Sequence, residues 1–181
     1  MSTILNSTNR RTFLLVAVLL LAVTVATLVS AGATEPRAKA APEPRTRHNL
    51  TIPAAHFHPT DDNADYHNLG QWLRMVTGAG SFYAPVSFPY PGVTVRKITM
   101  FVLDNDAADN ICLGLHRAVP RGFSEIQMAF VCSQGASNAD RTFSDITVSP
   151  KLLTGLHGPY LWLSMPAGSA RFYGMTIVYT A

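Results

Sequence analysis

From about residue 80 onward, apolar side chains return at every second position. Phe82, Ala84, Val86 and Phe88 alternate with Ser81, Tyr83, Pro85 and Ser87. Ile98, Met100 and Val102 alternate with Thr99, Phe101 and Leu103. Leu161, Leu163 and Met165 alternate with Tyr160, Trp162 and Ser164. Tyr173, Met175, Ile177 and Tyr179 do so with Phe172, Gly174, Thr176 and Val178, and Ile146 and Val148 repeat the pattern within RTFSDITVS. Successive side chains of a strand point to opposite faces, so this period predicts strands with one face in a core. No convincing amphipathic helix is present, since that would need a period of 3.6.

Turn chemistry separates these runs: PYPG at 89–92, DNDAADN at 104–110, PRG at 120–122, QGASNAD at 134–140, LHGP at 156–159 and PAGS at 166–169. QWLRMVT reads as a further strand and HNLTIP as the start of another. Seven or eight strands so spaced predict an all-β antiparallel β-sandwich, jelly-roll or immunoglobulin-like, over residues 48–181. Alternation alone does not separate the two topologies. The chain is 48% hydrophobic and 14% charged, which supports a packed core and excludes a disordered chain.

Cys112 and Cys132 are the only thiols. In an antiparallel hairpin, opposed positions are equidistant from the turn, and the midpoint of these two is Gly122, inside PRG. The same register sets Leu113 opposite Val131 and Leu115 opposite Ala129 on one face. A Cys112–Cys132 disulfide is therefore expected, with two buried free thiols as the alternative. Neither cysteine lies in a CxxC motif, which argues against redox catalysis.

Arg10 and Arg11 precede an apolar run over residues 13–29, and Ala31 and Ala33 follow at the spacing of a cleavage site. This is the layout of a helical signal peptide over residues 1–33. A retained anchor is the rival reading, because the run reaches only the lower limit for spanning a bilayer. Residues 34–47, TEPRAKAAPEPRTR, read as a disordered, polyproline-prone linker. The formal charge is +3, from 14 Lys and Arg against 11 acids; without Arg10 and Arg11 it falls to near +1. That balance does not call for nucleic acid.

Further marks run along the strands. Phe88-Pro89 and Gly92-Val93-Thr94 form a turn, Asp104-Asn105 closes one strand, Leu115-His116-Arg117 marks the next, and Ile177-Val178-Tyr179 marks the last. Over residues 80–181 this resembles a widespread group of exported bacterial β-sandwich proteins of uncharacterised function. The resemblance implies a secreted, all-β, non-enzymatic module and supplies no catalytic residues. The cysteine pair and the His-rich segment are not part of that pattern.

Three clusters are chemically suggestive. In HFHPTDDNADYH, His56 and His58 share a strand face, and Asp61, Asp62, Asp65 and His67 follow. His56, His58 and His67 are the candidate ligands for zinc or another divalent metal; a solvated turn-rich loop is the alternative. Asp104, Asp106 and Asp109, with Asn105 and Asn110, offer oxygens suited to calcium, or else ordinary turn bonding. No cofactor beyond such a metal is expected. Among the strand aromatics Tyr83, Phe101, Tyr160, Trp162, Phe172 and Tyr173, the candidate ligand platform is Trp162, Tyr160 and Tyr173. Core packing and a subunit interface are the competing roles. No G-x-S-x-G, phosphate loop or dinucleotide fingerprint occurs.

These readings converge on an exported, non-catalytic module for surface recognition or extracellular assembly. Its partner would be a glycan or a protein, with a homo-oligomer as an option and membrane contact only through an uncleaved leader. The alternatives are a metal-dependent hydrolase using segment 56–67 and an envelope or virion structural subunit.

Overall fold

The computed structural model describes residues 45–119 and 124–181. The leader reading of residues 1–33, the linker reading as far as residue 44, and the PRG turn lie outside the described residues. Twelve strands occur among those described: β1 (Arg47–Pro53), β2 (His58–Pro59), β3 (Tyr66–Asn68), β4 (Leu73–Met75), β5 (Gly80–Pro85), β6 (Val93–Leu103), β7 (Cys112–Val119), β8 (Ser124–Cys132), β9 (Arg141–Asp145), β10 (Leu152–Leu153), β11 (Gly158–Met165) and β12 (Arg171–Thr180). A single 3-10 turn, Ala54–His56, links β1 to β2. HNLTIP and QWLRMVT form β1 and β4 as expected, and Arg47, read as the end of the linker, begins β1.

All pairings are antiparallel and make two sheets. In one, β6 and β12 lie side by side; β9 and β10 flank β6, β1 and β4 flank β12, and β3 pairs with β4. The other runs β2–β5–β11–β7–β8. The long strands pair from the outside of the chain inward: β1 with β12 and β5 with β11, then β6 with β12 and β7 with β11. β6 with β9 and β7 with β8 complete the nesting. This is the double Greek key of a jelly roll. An immunoglobulin sandwich divides its strands differently, so the topology is decided for the jelly roll.

The period-two residues meet between the sheets. Phe82, Ala84, Leu113, Leu115, Leu161 and Leu163 from one sheet face Val95, Ile98, Met100, Val102, Phe172 and Ile177 from the other. Phe57 packs edge-on against Phe172, with ring centroids 4.8 Å apart. The pattern breaks where strands end and where they bulge. β9 ends at Asp145, so Ile146 is 69% exposed while Val148 is buried; they do not share a strand face. In β12 a bulge falls between Phe172, opposite Val102, and Gly174, opposite Phe101. Gly174 has φ +144°, and a Cβ there would lie 2.7 Å from the Ile52 carbonyl oxygen. Only glycine fits that approach of β1.

The β7–β8 hairpin closes with the expected Cys112–Cys132 disulfide, at 2.08 Å. Cys112 faces Cys132, Leu113 faces Val131 and Leu115 faces Ala129. The register then slips by one, and His116 faces Gln127, leaving Met128 as an extra residue in β8.

Candidate functional site

The outer face of the five-stranded sheet carries a row of rings. Strand register lines up His58, Tyr83, Trp162, Gly114 and Phe130 across β2, β5, β11, β7 and β8. Four strand spacings put the ends of this row about 19 Å apart. Tyr83 and Phe130 are 46% and 42% exposed, against the normal tendency of large rings to bury. Trp162 is half-buried. Its neighbours Leu161 and Leu163 fill the core, so alternation fixes Trp162 outward. His58 leans on Tyr83, with centroids 6.0 Å apart.

Gly114 has a positive reason to be bare. A Cβ there would lie 2.5 Å from His116 Nε2. The imidazole of His116 therefore occupies the space between the Trp162 and Phe130 positions. Two further rows flank the rings. Ser81, Ser164, Cys112 and Cys132 form one, so the disulfide lies on this face. Pro85, Tyr160, His116 and Gln127 form the other.

Glu125, opposite Ala118, sits at the edge of that second row. The His116 and Tyr160 rings stack at 5.2 Å with 19° between planes. His116 Nδ1 lies 2.7 Å from Glu125 Oε1, a close approach without the alignment of a hydrogen bond. Burial pushes the Tyr160 hydroxyl up to about 12, and the nearby Glu125 carboxylate adds to the shift. Tyr160 is thus a neutral donor at any working pH. None of the outward positions in these rows holds Lys or Arg, and Glu125 is the one acid among them.

The opposite sheet presents different chemistry. Thr51, Thr176, Thr99 and Ser144 form a hydroxyl row, with Thr99 and Ser144 oxygens 2.9 Å apart. Trp72 is covered there by Arg171 and Arg74, at 5.0 and 5.5 Å from its ring. Tyr173 belongs to this sheet and is separated from the other two residues of the expected platform. Its hydroxyl donates to Asp140 Oδ1 at 2.7 Å. Burial raises its pKa, with Asp140 reinforcing the effect. The bulge at Gly174 is what turned it away from the regular alternation.

The expected metal ligands are not gathered. His56 is exposed at the end of the 3-10 turn, His58 packs on Tyr83, and His67 Nδ1 lies 3.3 Å from Arg74 Nη2. Asp61 accepts from the Asn63 amide at 2.9 Å and Asp65 from the Thr77 hydroxyl at 3.2 Å. Asp104 is buried, accepting from the Ser133 hydroxyl and from the Asp106 amide at 3.2 Å. Asp106 accepts from the amides of Ala108 and Asp109 at 2.8 and 3.3 Å. The bonds to the Asn63, Asp106, Ala108 and Asp109 amides are ordinary turn bonds, while those from Thr77 and Ser133 tie Asp65 and Asp104 to distant segments. Among the described residues, no three His, Cys, Asp or Glu side chains form a group suited to a metal ion.

Clefts also open among the described residues. One, of about 380 Å³, lies between the β5–β6 and β10–β11 connections and is lined by Phe88, Tyr90, Thr154 and His157 among others. His157 Nδ1 accepts from the Thr154 amide at 3.0 Å. Another, of about 390 Å³, is polar and includes Asp61, Asp65, Thr77 and Ser164. Sequence reasoning named Tyr160 and Trp162 but missed Phe130, His116 and Glu125. The hairpin register carried the signal for the first two, since Gly114, His116 and Phe130 lie two or four positions from the bridged cysteines.

No protein-family model and no curated protein sequence matches the chain. The resemblance to exported bacterial β-sandwich proteins therefore has no family match behind it. Solved structures with similar coordinates include the C-terminal CBM6 of LamC, a marine laminarinase from Zobellia galactanivorans, at 11% identity and a TM-score of 0.48, covering 72% of this chain and 98% of that one. The xylan binding module CBM86 from Roseburia intestinalis gives 13% and 0.45, covering 74% and 96%. The xylan-binding module CBM15 gives 10% and 0.45, covering 75% and 98%. Similarity at this level carries no inference about what the present chain binds.

Proposed function

We propose that this protein is an exported, non-catalytic module that binds an extended glycan across the outer face of the five-stranded sheet. The observation that carries the reading is the linear row His58–Tyr83–Trp162–Gly114–Phe130, with two of its large rings more than two-fifths exposed. Flat rings fixed on strands offer apolar area at little entropic cost and suit the apolar faces of sugar rings. The flanking Ser81, Ser164, Tyr160 and Gln127 supply hydrogen-bonding groups for sugar hydroxyls. A row about 19 Å long fits several consecutive sugar units better than one. Export rests on the signal-peptide reading of residues 1–33.

The test is retardation in native gels containing soluble polysaccharides. Trp162→Ala and Tyr83→Ala are each expected to weaken binding by at least about tenfold, with thermal unfolding used to confirm that both variants fold. Unchanged retardation of both variants sinks the reading.

One observation favours assembly instead. Phe130 and Ile126 are exposed on β8, which ends its sheet. If that edge joins two copies, sedimentation will show a concentration-dependent dimer that Phe130→Ala dissolves.

A further inference from the structure

We infer that this face selects uncharged glycans over acidic ones, and that Glu125 sets the selection. The inference rests on the glycan reading above and adds the chemical class of the ligand. Its first support is charge. The ring row and its flanks hold no Lys or Arg, so a uronate or sulfate lying along them would lose hydration without gaining a cationic partner.

The second support is the way Glu125 is presented. Its side chain is 54% exposed, so a ligand can reach it, yet its position is held from one side. His116 Nδ1 stands 2.7 Å from Oε1, and the stacked Tyr160 ring backs the imidazole. A carboxylate held like this accepts charge-assisted bonds from sugar hydroxyls and repels an anion in the same place.

The third support is the register. Because Met128 is an extra residue, Gln127 and Glu125 face His116 and Ala118 on the ring side. Without the bulge, even-numbered positions of β8 would continue on that side and Glu125 would point the other way. The other titratable side chains on the face are His58, Tyr83, His116 and Tyr160. Arg117 is the one Lys or Arg in the strands of this sheet; it alternates with the outward His116, and its Nη1 donates to the Leu152 carbonyl at 3.1 Å, whereas Arg47, Arg74, Arg96, Lys97, Arg141 and Arg171 belong to strands of the opposite sheet.

The experiment uses matched polymers: hydroxyethylcellulose against carboxymethylcellulose, and arabinoxylan against glucuronoxylan. Affinity is read by gel retardation at pH 8, where imidazoles are ordinarily neutral, and at low salt. The unmodified protein is expected to prefer the neutral member of a bound pair by about fivefold. Glu125→Gln is expected to reduce that preference to within about twofold, and added salt to shrink it in the unmodified protein. Trp162→Ala should remove the binding, which separates this face from the cationic opposite one. Acidic polymers retained as well as neutral ones, through binding that Trp162→Ala abolishes, overturn the selection while leaving glycan binding intact. A preference that Glu125→Gln leaves unchanged removes Glu125 from the role. Retention of none of the four polymers brings down the glycan reading and this inference together.

Discussion

Single residues show how local bonding fixes behaviour that composition does not reveal. Asp145 ends β9, and its Oδ2 accepts from the Phe130 amide of β8 at 3.0 Å. Its Oδ1 accepts from the Thr147 amide at 2.7 Å. Burial would raise its pKa, but the Thr147 hydroxyl and the Phe130 and Thr147 amides outweigh burial and hold it below the usual 3.8. A carboxylate depressed in this way contributes stability above its ordinary pKa, and that contribution is lost as pH falls through the lower folded value. Asp145→Asn is therefore expected to lower the unfolding midpoint at pH 7 by about 3 °C and to flatten the acid limb below pH 3.8. Thermal melts across pH 2 to 7 check both. Nothing in RTFSDITVS announced this bond across the two sheets. Trp162 and Tyr160 were named as a platform with core packing still open, and the buried Leu161 and Leu163 place them outside the core; Tyr173 was misread because no period says which sheet a strand joins, and β12 lies in the other one.

At the scale of elements, the β7–β8 hairpin was the most legible part of the chain. Two cysteines, an apolar alternation and a turn shared one midpoint, and one register satisfied all three. The bridge closes a loop with a sequence separation of 20. Replacing both cysteines by serine is expected to cost roughly 3 kcal/mol, read as a lower urea midpoint. A change below about 0.5 kcal/mol would mean that the unfolded chain gains little freedom from the loss. The register also placed Gly114, His116 and Phe130 on the disulfide's face. It failed beyond Leu115, where Met128 adds a residue to β8.

For the whole molecule, the consequence of the jelly roll is cooperativity. Both sheets feed one core, and neither can bury its inner face alone. The two tryptophans report on them separately: Trp162 stands in β11, and Trp72 lies under Arg171 of β12. Trp72→Phe and Trp162→Phe leave one reporter each. Urea transitions followed by fluorescence in the two variants should share one form with no intermediate, after correction for each variant's own stability. A transition in two steps, with one tryptophan exposed well before the other, would show that the sheets unfold apart.

The sequence by itself determined that the chain is all-β, where the main strands run and which cysteines meet. All of these follow from short-range rules: side chains alternate along a strand, and turns need particular residues. Tertiary structure alone decided that the roll is a jelly roll, that Tyr83, Trp162 and Phe130 share one row, and that Tyr173 and the histidines of segment 56–67 do not join them. Those outcomes depend on which distant strands pair and where bulges fall. Both are settled by the fit of two sheets around a common core, a property of the assembled chain and of no segment within it.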